Sequence, residues 1–152
     1  MTPPSQDLTS LKALQVFRQE PRLFIERFCY IRDKERRTVL LTFNFAQDDY
    51  YQHRTRRDLI LKPPQMGFTT AVCSLFLADT LLRHNTHSVI VAHNIESAET
   101  IFEIVQFMWK HLPSWWHDQH PPGRINAGEF YWPSLESRFY VGTAGSLNFG
   151  RG

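Results

Sequence analysis

Residues 58–70, DLILKPPQMGFTT, set the strongest constraint on what this chain can fold into. An apolar segment (Leu59, Ile60, Leu61) runs through Lys62, two prolines and Gly67 into a hydroxyl pair, Thr69 and Thr70, that opens a long helical pattern. That order predicts a strand, a tight turn and a helix start. The unpaired N–H groups at a helix N-terminus, with the positive end of the helix dipole, form a site for phosphate. The usual loop of this kind reads G-x-x-x-x-G-K-[ST]. Here Gly67 and Thr69 fall at the second glycine and at the hydroxyl, whereas Lys62 stands at the first glycine position and Phe68 replaces the lysine. On spacing alone the stretch fits two roles, a phosphate loop or an ordinary strand-to-helix turn capped by Thr69.

The segments that follow restrict the fold class. In residues 70–84 the apolar Val72, Cys73, Leu75, Phe76, Leu77, Leu81 and Leu82 occupy most of a helix circumference, as expected for a helix packed on a sheet. Residues 88–92, SVIVA, are a continuous apolar, β-branched run of the kind found in buried parallel strands. A helix is then predicted from an Asn94 or Ser97 cap, with Ile101, Ile104, Val105, Met108 and Trp109 as its stripe and Pro113 just past its end. Alternating strands and helices of these lengths predict an α/β domain with a parallel sheet. Ligands of such sheets bind beyond the carboxyl ends of strands, where residues 62–70 are expected.

Ahead of this core, Thr9 or Ser10 caps a first predicted helix with Leu11, Leu14 and Phe17 on one face. A second helix follows Pro21, with Phe24, Ile25, Phe28 and Cys29 on one side. These give an N-terminal arm and helical subdomain, residues 1–37, before the α/β domain, residues 38–152. The run RDKERR at residues 32–37 fits a solvated turn or a DNA-contacting loop. A strand at 39–43 leads into a helix capped by Asn44. Arg54, Arg56 and Arg57 either meet phosphates or keep a helix end soluble. Residues 114–128 read as a loop whose Trp115 and Trp116 cover the core; His117 and His120 fit no zinc spacing. Residues 129–132 and 138–141 are expected as strands around a Pro-Ser turn, followed by a glycine-rich end, GTAGSLNFGRG.

A chain of 152 residues suffices for one domain with a real core, and 42% hydrophobic against 21% charged residues fits a soluble protein. The formal net charge of +2 does not by itself imply nucleic-acid binding. Cys29 and Cys73 sit within apolar helical patterns and are expected as buried free thiols, which suits a reducing cytoplasm. No apolar run approaches the roughly 18 residues of a membrane span and the N-terminus lacks the order of a signal peptide, so an intracellular protein without a membrane partner is expected.

Taken in order, four segments give the chain a resemblance, from about residue 24 to 152, to the ATPase domain of the terminase large subunit, the DNA-packaging motor of tailed bacteriophages. FIERFCYIRDKERR followed by LTFNFAQ is similar to the family's lead-in to an adenine-reading glutamine, which falls on Gln47. LKPPQMGFTT is similar to a family form of the phosphate loop (Walker A), K-A-R-Q-x-G-F-S-T, whose lysine stands early, at Lys62, and whose glycine precedes an aromatic, as Phe68 does. VIVAHNIESAETIFEIVQFMWKHLP resembles the second strand, A-H turn and following helix. FYVGTAGSLNFGRG resembles the strand and G-R-G segment before the Walker B strand.

The resemblance implies a RecA-like P-loop nucleotide-binding fold, here incomplete, with ATP and Mg²⁺ as cofactors. It also implies coupling of ATP hydrolysis to translocation of double-stranded DNA into a procapsid. Partners would be the portal protein, the terminase small subunit and further copies of the chain in a homo-oligomeric ring, within the host cytoplasm during phage assembly. By the same resemblance, N–H groups of Gln65, Met66, Gly67, Phe68, Thr69 and Thr70 hold the phosphates, Lys62 offsets terminal phosphate charge, Thr69 ligates Mg²⁺ and Gln47 contacts adenine. Without that context Gln47 is a helix-start glutamine facing solvent. Two departures stand out. Pro64 occupies the position where many relatives carry an arginine, leaving Arg151 of the G-R-G as the candidate for that charge, or a plain turn. No apolar run ends in Asp-Glu, so Walker B and any nuclease acids are missing, as in a fragment or a truncated gene. Another helicase-like, DNA-dependent ATPase and a degenerate, non-catalytic interaction domain are the alternatives.

Overall fold

A four-stranded sheet carrying helices on one face organises the chain, and the computed structural model describes residues 11–145. In order, the elements are α1 (Leu11–Gln19), α2 (Pro21–Phe28), β1 (Tyr30–Arg32), β2 (Thr38–Leu40), α3 (Phe45–His53), α4 (Phe68–Leu82), β3 (His87–Ala92), α5 (Ile95–Lys110), α6 (Ser114–Gln119), β4 (Arg124–Asn126), β5 (Glu129–Trp132), a 3₁₀ turn (Pro133–Leu135) and β6 (Ser137–Thr143). The Thr9 or Ser10 cap, the end of the glycine-rich segment and Arg151 lie outside the described residues.

The class expected from sequence, α/β, holds, but the sheet is mixed rather than parallel. Its order is β3-β6-β5-β4; β3 and β6 run parallel, while β5 is antiparallel to both β6 and β4. The separate pair β1-β2 is an antiparallel hairpin. It closes over residues 33–37, where the Asp33 carboxylate accepts from Arg37 N at 2.8 Å and Arg36 takes φ 62. RDKERR is thus the tip of a hairpin.

Register shows which sheet face is covered. Ser88 lies opposite Phe139, and Phe139 opposite Phe130, so these three side chains share a face. The α4 hydroxyl of Thr80 donates to Ser88 Oγ at 2.7 Å, and the α5 ring of Phe102 lies 5.3 Å from Phe130, which puts both helices on that face. The other face carries Val89 and Val91, 41% and 51% exposed, beside the half-buried Tyr140. An antiparallel or mixed sheet tolerates one solvated face, whereas a parallel one is normally covered on both.

One core gathers Phe17, Phe24, Ile25 and Phe28 of α1 and α2 with Leu77 and Leu81 of α4, Met108 of α5 and Phe139 of β6. The N-terminal helices share it: Phe24 meets Trp116 of α6 at 5.3 Å between ring centroids. Trp116 is 1% exposed, so the tryptophan-bearing segment covers the core, although it does so as a short helix. Cys29 and Cys73 are free and buried, and burial pushes both thiols up to about 12.

The strand expected over 59–61 does not form. Leu59 and Leu61 are 98% and 99% exposed, and no ladder among the described residues includes them. A strand exists only where a neighbour accepts its hydrogen bonds. Upstream, Asp58 is tied back to Thr55, whose N and Oγ1 both donate to its carboxylate. Downstream, Pro63 and Pro64 have no N–H to give, leaving too few residues to hold a ladder. Among the described residues, no helix is long and apolar enough to cross a membrane.

Candidate functional site

The loop of residues 62–67 meets α4 head-on, and its backbone alternates in hand. Gln65 takes φ 62 and Gly67 φ 68, while Met66 between them is not left-handed. Alternation of right- and left-handed residues is the backbone pattern in which successive N–H groups face one concave side, the geometry of anion-binding nests. Gly67 is the N-cap of α4 and supplies no side-chain cap, so the alternative of a turn capped by Thr69 is not what forms. The first intrahelical bond is Ala71 N to Gly67 O at 3.1 Å; the N–H groups of Phe68, Thr69 and Thr70 precede it.

Each predicted site residue has a distinct place. Lys62 and Gln65 are exposed, Met66 is half-buried, Thr69 is exposed at the second helical position, and Thr70 is half-buried. Phe68 is 8% exposed, its ring edge-on to Tyr50 of α3 at 6.0 Å. At the position of the usual lysine, the aromatic side chain therefore anchors the helix start to α3, while its N–H remains at the terminus. Burying such a ring is worth about 1.5–3 kcal/mol.

A cavity of about 550 Å³ opens between α3 and the loop, lined by Phe45, Arg54, Arg57, Lys62, Met66 and Phe68 among others. Its volume falls in the range of small-ligand sites. Lys62 and Arg57 bring positive charge to it, with Asp49 and Asp58 as counter-charge. The Arg54 guanidinium lies 3.7 Å from the Tyr51 ring centroid and donates to the Tyr51 carbonyl. Tyr50, at the same wall, is raised above its ordinary value by burial and by the neighbouring Asp58. On the far side of the α4 terminus, a groove of about 530 Å³ runs from Thr70 past Thr100 to Arg32 and Lys110. A third cavity, about 400 Å³ beside Glu129 and Arg138, lies on the open sheet face and shares no residue with the loop.

Gln47 is neither solvent-facing nor free. It is 4% exposed, at the third position of α3, in a reciprocal capping box with Asn44: Gln47 N donates to Asn44 Oδ1 at 3.0 Å and Asn44 N donates to Gln47 Oε1 at 3.0 Å. Its Nε2 donates to Met66 O at 3.2 Å and to Gly67 O at 2.9 Å, and Asn44 Nδ2 also donates to Met66 O at 3.2 Å. The sequence signal for the box is Asn44-x-x-Gln47 before a helix; its reach to the loop has no local signal.

α3 is itself pinned. Arg22 of α2 pairs with Asp48 and with Glu26, the latter at 2.9 Å, and Tyr51 donates to Glu20. Glu26, then Asp48, raises the Arg22 guanidinium further above its ordinary value, against the opposing effect of burial. The N-terminal helices thereby hold the element that holds the loop. Comparison with known protein families finds no family that matches the chain, and comparison with curated proteins finds no match.

Proposed function

We propose that the chain is the ATP-binding part of a DNA-packaging ATPase of the terminase large-subunit kind, built on a RecA-like P-loop core. The observation that carries this is the loop itself: left-handed Gln65 and Gly67 lead into a helix whose first three N–H groups have no side-chain cap. In support, Lys62 is exposed at the start of the loop, and the exposed Thr69 occupies the motif's metal-ligand position in the sequence.

The chain's own residues would work as follows. N–H groups of Gly67 to Thr70 bind phosphate oxygens, with the α4 dipole adding to the attraction. Lys62 would offset charge on the terminal phosphate, and Thr69 would offer its hydroxyl to Mg²⁺, which would supply positive charge beside the phosphates. No apolar strand in the sequence ends in Asp-Glu, so these residues bind nucleotide but turn it over poorly. Double-stranded DNA, a portal protein, a small subunit and further copies in a ring belong to the same proposal.

Calorimetric titration of Mg-ATP into the intact protein tests it, with Lys62→Ala as the control. Saturable binding, weakened by at least about tenfold in Lys62→Ala, is expected from loss of a charge-assisted contact. The absence of binding would remove the nucleotide reading and leave a second one, an interaction domain, which the exposed Phe45 (89%), Leu59 and Leu61 favour.

A further inference from the structure

We infer that Gln47 is a positioning residue that aims the phosphate-binding N–H groups of the loop, and not a reader of the base. This rests on the nucleotide-phosphate reading of the loop given above.

The geometry leaves one orientation for the Gln47 amide. Oε1 faces the N–H of Asn44, which only donates, so oxygen must stand there. Nε2 faces the carbonyls of Met66 and Gly67, which only accept, so nitrogen must stand there. Both amide hydrogens are thereby committed to the loop. A paired contact to adenine requires a free donor on the same amide, and here none is left.

What the two bonds do follows from the planarity of the peptide. In a trans peptide the C=O and the N–H point in opposite directions. Fixing the Met66 carbonyl toward α3 turns the Gly67 N–H away from α3, and fixing the Gly67 carbonyl does the same to the Phe68 N–H. Gln47 therefore sets the direction of two donors at the mouth of the anion site without touching the anion. Gly67 must lack a side chain for this to work, since a Cβ there would stand 2.7 Å from Gln47 Nε2. Asn44 adds a second donor on the Met66 carbonyl, so the α3 capping box serves both the helix and the loop. Gln47, 4% exposed, is shielded from water that would compete for these bonds.

Gln47→Glu separates the two roles, because the carboxylate still accepts from Asn44 N but offers no hydrogen to either carbonyl. Mg-ATP, Mg-GTP and tripolyphosphate are titrated into wild type and variant, and ¹⁵N order parameters of the Gly67 and Phe68 amides are measured without ligand. A positioning role predicts that all three ligands weaken by the same factor, about 30-fold for two lost hydrogen bonds. It also predicts that the two order parameters fall from about 0.85 to below about 0.6. Asn44→Ser, which keeps a capping hydroxyl and removes one donor, shifts both readouts the same way by less, and stands in where Gln47→Glu does not fold. Weakened ATP with unchanged tripolyphosphate would identify a base reader and overturn the inference, as would unchanged order parameters. If wild type binds none of the ligands, the nucleotide reading fails, and the order parameters still decide whether Gln47 holds the loop.

Discussion

Gly67→Ala puts one methyl group into the joint between α3, the loop and α4, and the structure gives its cost. At φ 68 an alanine occupies the left-handed region, a penalty of about 1–2 kcal/mol. The new Cβ would lie 2.7 Å from Gln47 Nε2, so the amide must leave its place. Doing so releases the Met66 and Gly67 carbonyls, worth about 1 kcal/mol each. The native loop geometry is thus disfavoured by about 3–4 kcal/mol, enough to make it a minor state among loop conformations. Because the loop is exposed and borders no strand, this loss is absorbed locally, and the far-UV circular dichroism spectrum should not change. Mg-ATP affinity measured by calorimetry is expected to fall by about 150- to 900-fold. Gln65→Gly is the matched control: it relieves a left-handed non-glycine residue and should leave stability unchanged or raised by about 0.5–1 kcal/mol. Binding by Gly67→Ala within about twofold of wild type would refute the reasoning.

Leu59→Ser and Leu61→Ser should each change urea-unfolding stability by less than about 0.5 kcal/mol, since both side chains are almost wholly exposed. Leu77→Ala, at 0% exposure, should cost about 2–5 kcal/mol in the same assay; a comparable loss at Leu59 would mean that the segment is buried in solution. His120 is held below the ordinary histidine value of 6.5 by burial and then by the charge of His84, so the unfolded chain binds its proton more readily. Its contribution is therefore complete above pH 6.5 and lost as pH falls through the lowered folded value; unfolding curves across that range should show acid destabilisation that flattens in His120→Gln.

Much of the architecture was legible wherever the signal was local. Asn94 caps α5 by accepting from Ser97 N at 2.8 Å, Asn44 caps α3, and SVIVA lies within β3. What failed was pairing, which no short window contains. Residues 59–61 have strand composition but no strand partner among the described residues, and β1 was hidden because YIR continues the apolar spacing of α2. The orientation of β5 and β4 makes the sheet mixed, and only register reveals it. At the candidate site, the turn and Gly67 ahead of α4 were legible, but nothing local hinted that Phe68 packs on Tyr50 or that Gln47 spends its amide on the loop, because both partners lie about 20 residues away along the chain.

The central claim is that the N-terminus of α4 and its loop bind phosphate through backbone N–H groups. Amide ¹H–¹⁵N correlation spectra recorded while Mg-ATP, and separately tripolyphosphate, is added measure those groups one by one. The account predicts that Gly67, Phe68, Thr69 and Thr70 show the largest downfield shifts with both ligands, and that those shifts shrink in Lys62→Ala. Shifts absent from these four amides, or centred on other residues, would contradict it.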